Sequence, residues 1–246
     1  MKLLISALVL TTVAVSQGAT LFDNGAFQTD TGNGFGGGNT SVLTAPDGTF
    51  GFGTGFGAGN YVADNFTLSE NSTLSDLTVF AYQTGASTAT ITGGTFAIYA
   101  SAPVDLTTST LAGNLNSTAA ATAVFTDVYR VNVGAQTDAS RRIQAVTIDL
   151  GALELAAGDY FVAWSLVGSS SFTGPFSVPV TPSDALANGL QRLNNQSFAP
   201  VVDGGSGVAK DFAFQINGTA NVVPEPATLA ALGLGAAALL RRRKRA

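Results

Sequence analysis

Apolar and polar positions alternate most regularly at residues 145–150, where Val146, Ile148 and Leu150 share one face while Ala145, Thr147 and Asp149 share the other. Residues 211–216 repeat the pattern with Phe212, Phe214 and Ile216 on the apolar side. Successive side chains of a strand point to opposite faces, so a period of two predicts a strand with one side in a core and one in water. Less regular apolar runs at 63–68, 74–82, 95–99, 124–133 and 159–166 are bounded by turn-forming residues such as Gly93-Gly94, Gly134 and Gly158-Asp159. Helical periodicity does not alternate with these runs. The expectation is therefore an all-β fold, a single antiparallel β-sandwich or jelly-roll-like domain over residues 19–222. Helices are expected only in an N-terminal signal segment and a short C-terminal membrane segment.

Composition agrees with strands and turns. The 246 residues are 46% hydrophobic and 11% charged, with 29 Gly, which is too apolar for a disordered chain. There is no Cys, so no disulfide supports the fold, and its stability rests on a core of ordinary size. There is also no His, which removes the most common general base and metal ligand and excludes most familiar catalytic constellations.

The two ends read differently from the middle. Lys2 precedes an apolar stretch, residues 3–15, and Ser16-Gln17-Gly18 puts small residues three and one before a cut, so residues 1–18 read as a signal peptide. The alternative is a buried first strand or helix of a cytoplasmic domain. At the other end, residues 223–246 hold Pro224, Glu225 and Pro226, then an uncharged apolar run at 227–240, then Arg241, Arg242, Arg243, Lys244 and Arg245. The prolines keep the tripeptide extended and let a helix start at about Pro226. Fourteen residues make only about 21 Å of helix against a hydrocarbon core of roughly 30 Å, a marginal anchor. The five cationic side chains resist translocation and hold the tail on the cytoplasmic side.

This order of motif, apolar run and basic block resembles the PEP-CTERM sorting signal of Gram-negative bacteria. In that family an integral-membrane exosortase recognises the Pro-Glu-Pro motif and cuts the tag at or near it during delivery to the cell surface, commonly in organisms that make exopolysaccharide. The resemblance implies that Pro224, Glu225 and Pro226 are the sorting motif, 227–240 a transient inner-membrane anchor, and Arg241, Arg242, Arg243, Lys244 and Arg245 the stop-transfer block. It implies export machinery, exosortase and exopolysaccharide as partners, and a cell-surface or extracellular destination. A permanent C-terminal anchor is the alternative. Phrases in the body, among them 63–68, 80–85, 128–131 and 158–161, resemble those of other bodies attached to such tags, and imply no known activity.

Removal of both ends leaves five basic residues, Arg130, Arg141, Arg142, Arg192 and Lys210, against fifteen acidic ones, hence a net charge of −10. Such a surface repels nucleic acid and anionic lipid. Residues 32–59 contain 11 Gly in 28 positions and three Gly-Phe-Gly repeats, read as a loop or irregular hairpin whose phenylalanines pack on the sandwich. Gly32, Gly34 and Gly37 fit a dinucleotide-loop spacing but lack the strand before and helix after that would give it meaning.

Candidate chemistry in the body is sparse, and no catalytic residue, cofactor or metal is assigned. Asp149, Glu154 and Asp159 cluster in sequence, but a polysaccharide hydrolase needs two convergent carboxylates about 5–10 Å apart, and acids so spaced commonly mark solvent-facing strand and turn positions. Asp203-Gly204-Gly205-Ser206-Gly207 reads as a hairpin turn rather than half a calcium loop. Trp164 shares a face with Tyr160 and Val162 and is expected in the core. Arg141-Arg142 fits surface ion pairing, or contact with an anionic saccharide. Asn71-Ser72-Thr73 and Asn217-Gly218-Thr219 match glycosylation acceptors, a pattern common by chance in a Thr-rich chain. The expected role is structural or exopolysaccharide-associated. The alternatives are a carbohydrate-binding module, marked by an exposed aromatic strip, and the hydrolase.

Overall fold

The computed structural model describes residues 18–182 and 187–221. The expected signal helix, sorting motif, membrane helix and basic tail lie outside the described residues.

The described residues form fourteen strands: β1 (Ala19–Asp23), β2 (Asn39–Leu43), β3 (Phe52–Gly53), β4 (Tyr61–Leu68), β5 (Ser72–Thr84), β6 (Ile91–Tyr99), β7 (Ala112–Gly113), β8 (Ala119–Asn132), β9 (Arg142–Leu155), β10 (Gly158–Gly168), β11 (Thr173–Ser177), β12 (Leu190–Arg192), β13 (Ala199–Pro200) and β14 (Phe214–Ala220). Each of the seven alternating or apolar runs in the sequence falls on one of β4, β5, β6, β8, β9, β10 and β14, with Phe212 just ahead of β14. Val146, Ile148 and Leu150 are buried and Asp149 is exposed, as a period of two requires.

The strands follow the order β1-β14-β5-β9-β8-β6-β10-β4-β12-β13. Strand β8 turns the corner, because Ala119 and Ala120 pair with Gly94 and Gly93 of β6 while Ala121 to Phe125 pair with β9. Gly93 and Gly94, expected to bound a strand, lie inside β6. A Cβ on Gly94 would come within 2.6 Å of Ile148 Cδ1, so the glycine lets the two layers close. The sheet thus curls on itself and becomes sandwich-like. All ladders among the described residues are antiparallel except β2 on β8, which is parallel and runs through the glycine-rich segment expected to be a loop.

The curl buries one continuous core. Leu74, Leu77, Val79, Val146, Ile148, Phe214 and Ile216 come from the β14-β5-β9 layer, and Val62, Phe66, Ile98, Val162, Trp164 and Leu166 from the β6-β10-β4 layer. Trp164 lies edge-on to Phe212 at 5.6 Å, and its indole N–H donates to Ser177 Oγ at 3.1 Å, so its polar end is satisfied as its ring is buried. Tyr160 stacks on Phe66 at 5.4 Å on the same side. The outer face of β4, β6 and β10 is covered too, with Tyr61, Ala63, Ala97, Tyr99 and Ala163 packed beneath Leu115. Burial on both faces explains why these runs lack clean alternation.

The first and last strands are neighbours. Ala19 lies opposite Gly218 and Asp23 opposite Gln215, so the chain enters the body beside the point where it leaves. The backbone N–H of Asn221 then donates to Asn71 O at 2.7 Å, at the turn that precedes β5.

Candidate functional site

The far ends of β5 and β9 hold a groove of about 410 Å³, lined by Phe35, Tyr129, Arg142, Ser87 and Ser140 together with Gly85, Ala86 and Ala139. Its floor comes from β8 and β9, where Tyr129 pairs in register with Arg142. The Arg142 guanidinium sits 4.7 Å from the Phe125 ring and 5.6 Å from the Tyr129 ring, a cation held over aromatic faces. Its Nε–H donates to Thr126 O at 3.0 Å, and no carboxylate pairs with it among the described residues. The wall is Phe35, on a one-turn 3₁₀ segment between Gly34 and Gly38, edge-on to Tyr129 at 5.9 Å. Gly36 and Gly37 have φ of 64° and 85°, a left-handed conformation that glycine adopts at no steric cost. Phe35 is therefore held outward and is 51% exposed, whereas Phe52 of the next Gly-Phe-Gly repeat is in the core. The phenylalanines of this segment do not all pack on the sandwich, as the sequence led us to expect.

Arg141 faces the other way. It pairs with Asp138 at 3.0 Å and lies over the Phe50 ring at 3.8 Å. Arg141 lies in the turn just before β9, whose first residue is Arg142, and the two arginines share neither ion-pair partner nor aromatic ring.

The three sequence-clustered carboxylates do not converge on one another. Asp149 stands opposite Asp76 of β5, Glu154 opposite Thr73, and Asp159 on β10 accepts the Thr67 hydroxyl at 2.6 Å. Asp76 and Asp149 do line a shallow depression of about 320 Å³ with Ser75, Thr122 and Thr147. Asp76 is tied there by Asn217 Nδ2–H at 2.6 Å and the Ser75 hydroxyl at 2.7 Å. Among the described residues no group of three or more His, Cys, Asp or Glu is placed to hold a metal ion.

The sequence did not mark two aspartates, Asp203 and Asp64, as buried. Asp203, in the 203–207 turn, receives backbone N–H groups from Gly48, Gly205 and Ser206 on Oδ1, and from Thr49 on Oδ2, at 2.7–2.9 Å. Burial pushes this carboxyl up, but the amides of Ser206, Gly48, Gly205 and Thr49 outweigh it and hold the group well below the usual carboxylate range. Around it, Lys210 Nζ donates to Asp47 at 2.6 Å. Buried Arg130 donates to Phe50 O at 2.9 Å, Ser41 Oγ at 3.0 Å and Thr181 Oγ1 at 3.2 Å. Burial lowers Arg130 to about 10, against the pull of Tyr82, Asp47 and Asp203.

Asp64 on β4 is the second. It accepts Asn24 Nδ2–H at 2.9 Å and Phe212 N–H at 2.7 Å on one oxygen, and Asn65 N–H at 2.9 Å on the other. Burial, helped by the charge of Asp211, keeps its pKa well above the ordinary aspartate value despite these donors. Of the five basic residues of the body, Arg130, Arg192 and Lys210 are buried, so exposed positive charge is scarcer than the sequence count suggests.

Residues 222–245 match the family model of the PEP-CTERM protein-sorting motif, a span that includes Pro224, Glu225 and Pro226 and the basic block Arg241, Arg242, Arg243, Lys244 and Arg245. Comparison with curated proteins and with solved structures finds no match. The motif supports an exported protein that passes through the membrane to the cell surface and is sorted by an exosortase, a membrane enzyme.

Proposed function

We propose that this is a cell-surface or matrix protein, brought out by a signal peptide at residues 1–18 and released by exosortase at Pro224, Glu225 and Pro226 from a transient anchor at 227–240. Its body associates with exopolysaccharide and performs no catalysis. The observation that carries the polysaccharide half is the groove beneath Phe35, where an exposed ring shares the lining with a guanidinium that has no carboxylate partner among the described residues. An aromatic face takes the apolar side of a sugar ring, and a guanidinium takes a carboxylate or sulfate in a charge-assisted pair. The acidic surface does not forbid this, since repulsion from charges beyond about 8 Å is screened at physiological salt. One ring beside a cation suits one or two anionic sugar units of a chain, a weak contact repeated many times in a matrix.

Two measurements test the two halves. In cells with the exosortase gene intact, mass spectrometry of the C-terminal peptides should find the mature chain ending near Pro224–Pro226. In cells lacking that gene the tail should be retained. Retention in both strains would make the tail a permanent anchor. Mature protein should cosediment with an acidic exopolysaccharide, and Phe35→Ala or Arg142→Gln should weaken this about tenfold, as loss of roughly 1.4 kcal/mol per site requires. Unchanged binding by both variants would remove the groove from the function.

A polysaccharide hydrolase is the second reading. The observation in its favour is the pairing of Asp76 with Asp149 across the depression. It predicts chain cleavage abolished by Asp149→Asn.

A further inference from the structure

We infer that the membrane-anchored precursor stands on one end of its strands, with the turn at Asn71 against the membrane and the groove at the far end facing away. This rests on the sorting reading above for the anchor, and on the fold for the orientation. Strand β14 is paired through Ala220, which lies opposite Ser72, and Asn221 is fastened by its N–H to Asn71 O and by its side-chain amide to Thr73 Oγ1 at 3.1 Å. Only Val222 and Val223 separate this fastening from Pro224. At about 3.6 Å per residue, three steps carry the motif no more than about 11 Å from Asn221, and six carry the start of the apolar run no more than about 22 Å.

The same end receives the chain's other tether. Ala19 lies opposite Gly218, so the residues after a signal-peptide cut also emerge there. The turns that complete this end are short: Asn71 Oδ1 accepts the Ala157 N–H at 3.0 Å and joins the β4–β5 turn to the β9–β10 turn.

The groove is at the opposite end of the same strands. Strand β5 runs 13 residues from Ser72 to Thr84, roughly 40 Å at strand rise, and Gly85 and Ala86 just beyond it line the groove. Strand β9 runs the other way and has Arg142 at its first position. Exposed charges at the near end include the acids Glu70, Glu154 and Asp159, which keep that end from lying flat on anionic lipid and favour a neutral or basic lip of the processing enzyme. The groove is thus held clear of the membrane before the anchor is cut, so binding and release do not obstruct each other.

The chain's lack of cysteine makes the test direct. Full-length precursor from an exosortase-deleted strain, carrying Glu70→Cys or Thr88→Cys with a fluorescent donor, is reconstituted into phosphatidylcholine vesicles bearing a headgroup acceptor. Energy transfer from position 70 should exceed that from position 88 several-fold. Equal or reversed transfer in protein that floats with the vesicles overturns the orientation and leaves the sorting reading standing. Protein that does not float has no anchor, which overturns the orientation and the sorting reading together. Cosedimentation with polysaccharide is read separately and is not moved by either result.

Discussion

The core seam at Asp64 and the loop network at Asp203 both keep a carboxylate off the surface, with 0% and 2% of the residue exposed, but Asp64 lies deeper in the protein, and the two carboxyls shift in opposite directions. Asp64 has three donors and a second acid, Asp211, in its field, and burial prevails. Asp203 has four backbone amides aimed at it from two loops, and the amides prevail. Exposure alone therefore does not decide the charge of a buried acid. Depth in the protein and the number and fixity of the donors decide it together, because a deeply buried anion loses more hydration and an amide held by its own loop needs no reorganisation to meet it.

The largest expected effect comes from removing the cation of the loop network. Arg130→Met leaves Phe50 O, Ser41 Oγ and Thr181 Oγ1 without their donor and Asp203 without a facing positive charge, and should cost about 3 kcal/mol in denaturant unfolding. A cost below 1 kcal/mol would mean that the loops hold together without it.

The same substitution at both acids gives the sharpest contrast. Asp203→Asn turns one acceptor oxygen into a donor facing Thr49 N–H and should cost about 2 kcal/mol. Asp64→Asn keeps two of three hydrogen bonds, removes repulsion from Asp211, and should cost less than about 1 kcal/mol at neutral pH. Equal costs would erase the distinction between the two regions.

The pH dependence separates them again. The Asp203 carboxyl is depressed in the folded state, so its contribution is present above about pH 4 and is lost as pH falls through its folded value. The Asp64 carboxyl is raised, so its contribution is fullest below about pH 4 and is lost as pH rises through its folded value. Thermal unfolding across pH should show Asp203→Asn flattening the acid limb and Asp64→Asn flattening the loss on the alkaline side. The smallest expected effect on stability is that of Arg142→Gln, within about 0.5 kcal/mol, because its guanidinium lies at the surface over Phe125.

How far the sequence foretold these regions follows from what each presents to water. Val146, Ile148 and Leu150 were legible because one face of β9 is wet and the other dry. The β2 run Thr40-Ser41-Val42-Leu43 was not, since all four residues are buried and their polar side chains break no visible pattern. Its parallel pairing with β8 has no local sequence mark. Arg130 was counted as surface charge, although a lone arginine within Val128-Tyr129-Arg130-Val131 was the available sign of a buried cation. The Asp203 turn was read correctly as a turn, but two of the four amides that converge on its carboxylate, those of Gly48 and Thr49, come from residues more than 150 positions away. Phe35 and Arg142 were each noticed, and only β8, which supplies Tyr129 between them, makes them one site.

The pairing of β1 with β14 also sets the order in which the molecule can assemble. Residue 19 finds its partner only at residue 218, a separation close to the full length of the body. Contacts this distant in sequence form slowly, because most of the chain must be gathered before they are rewarded. A polypeptide still threading outward lacks β14 altogether, so its first strand waits unpaired while the intervening sheet forms. Late closure of the sheet thus follows from connectivity, and the strand that closes it is the one that leads into the residues matching the sorting motif.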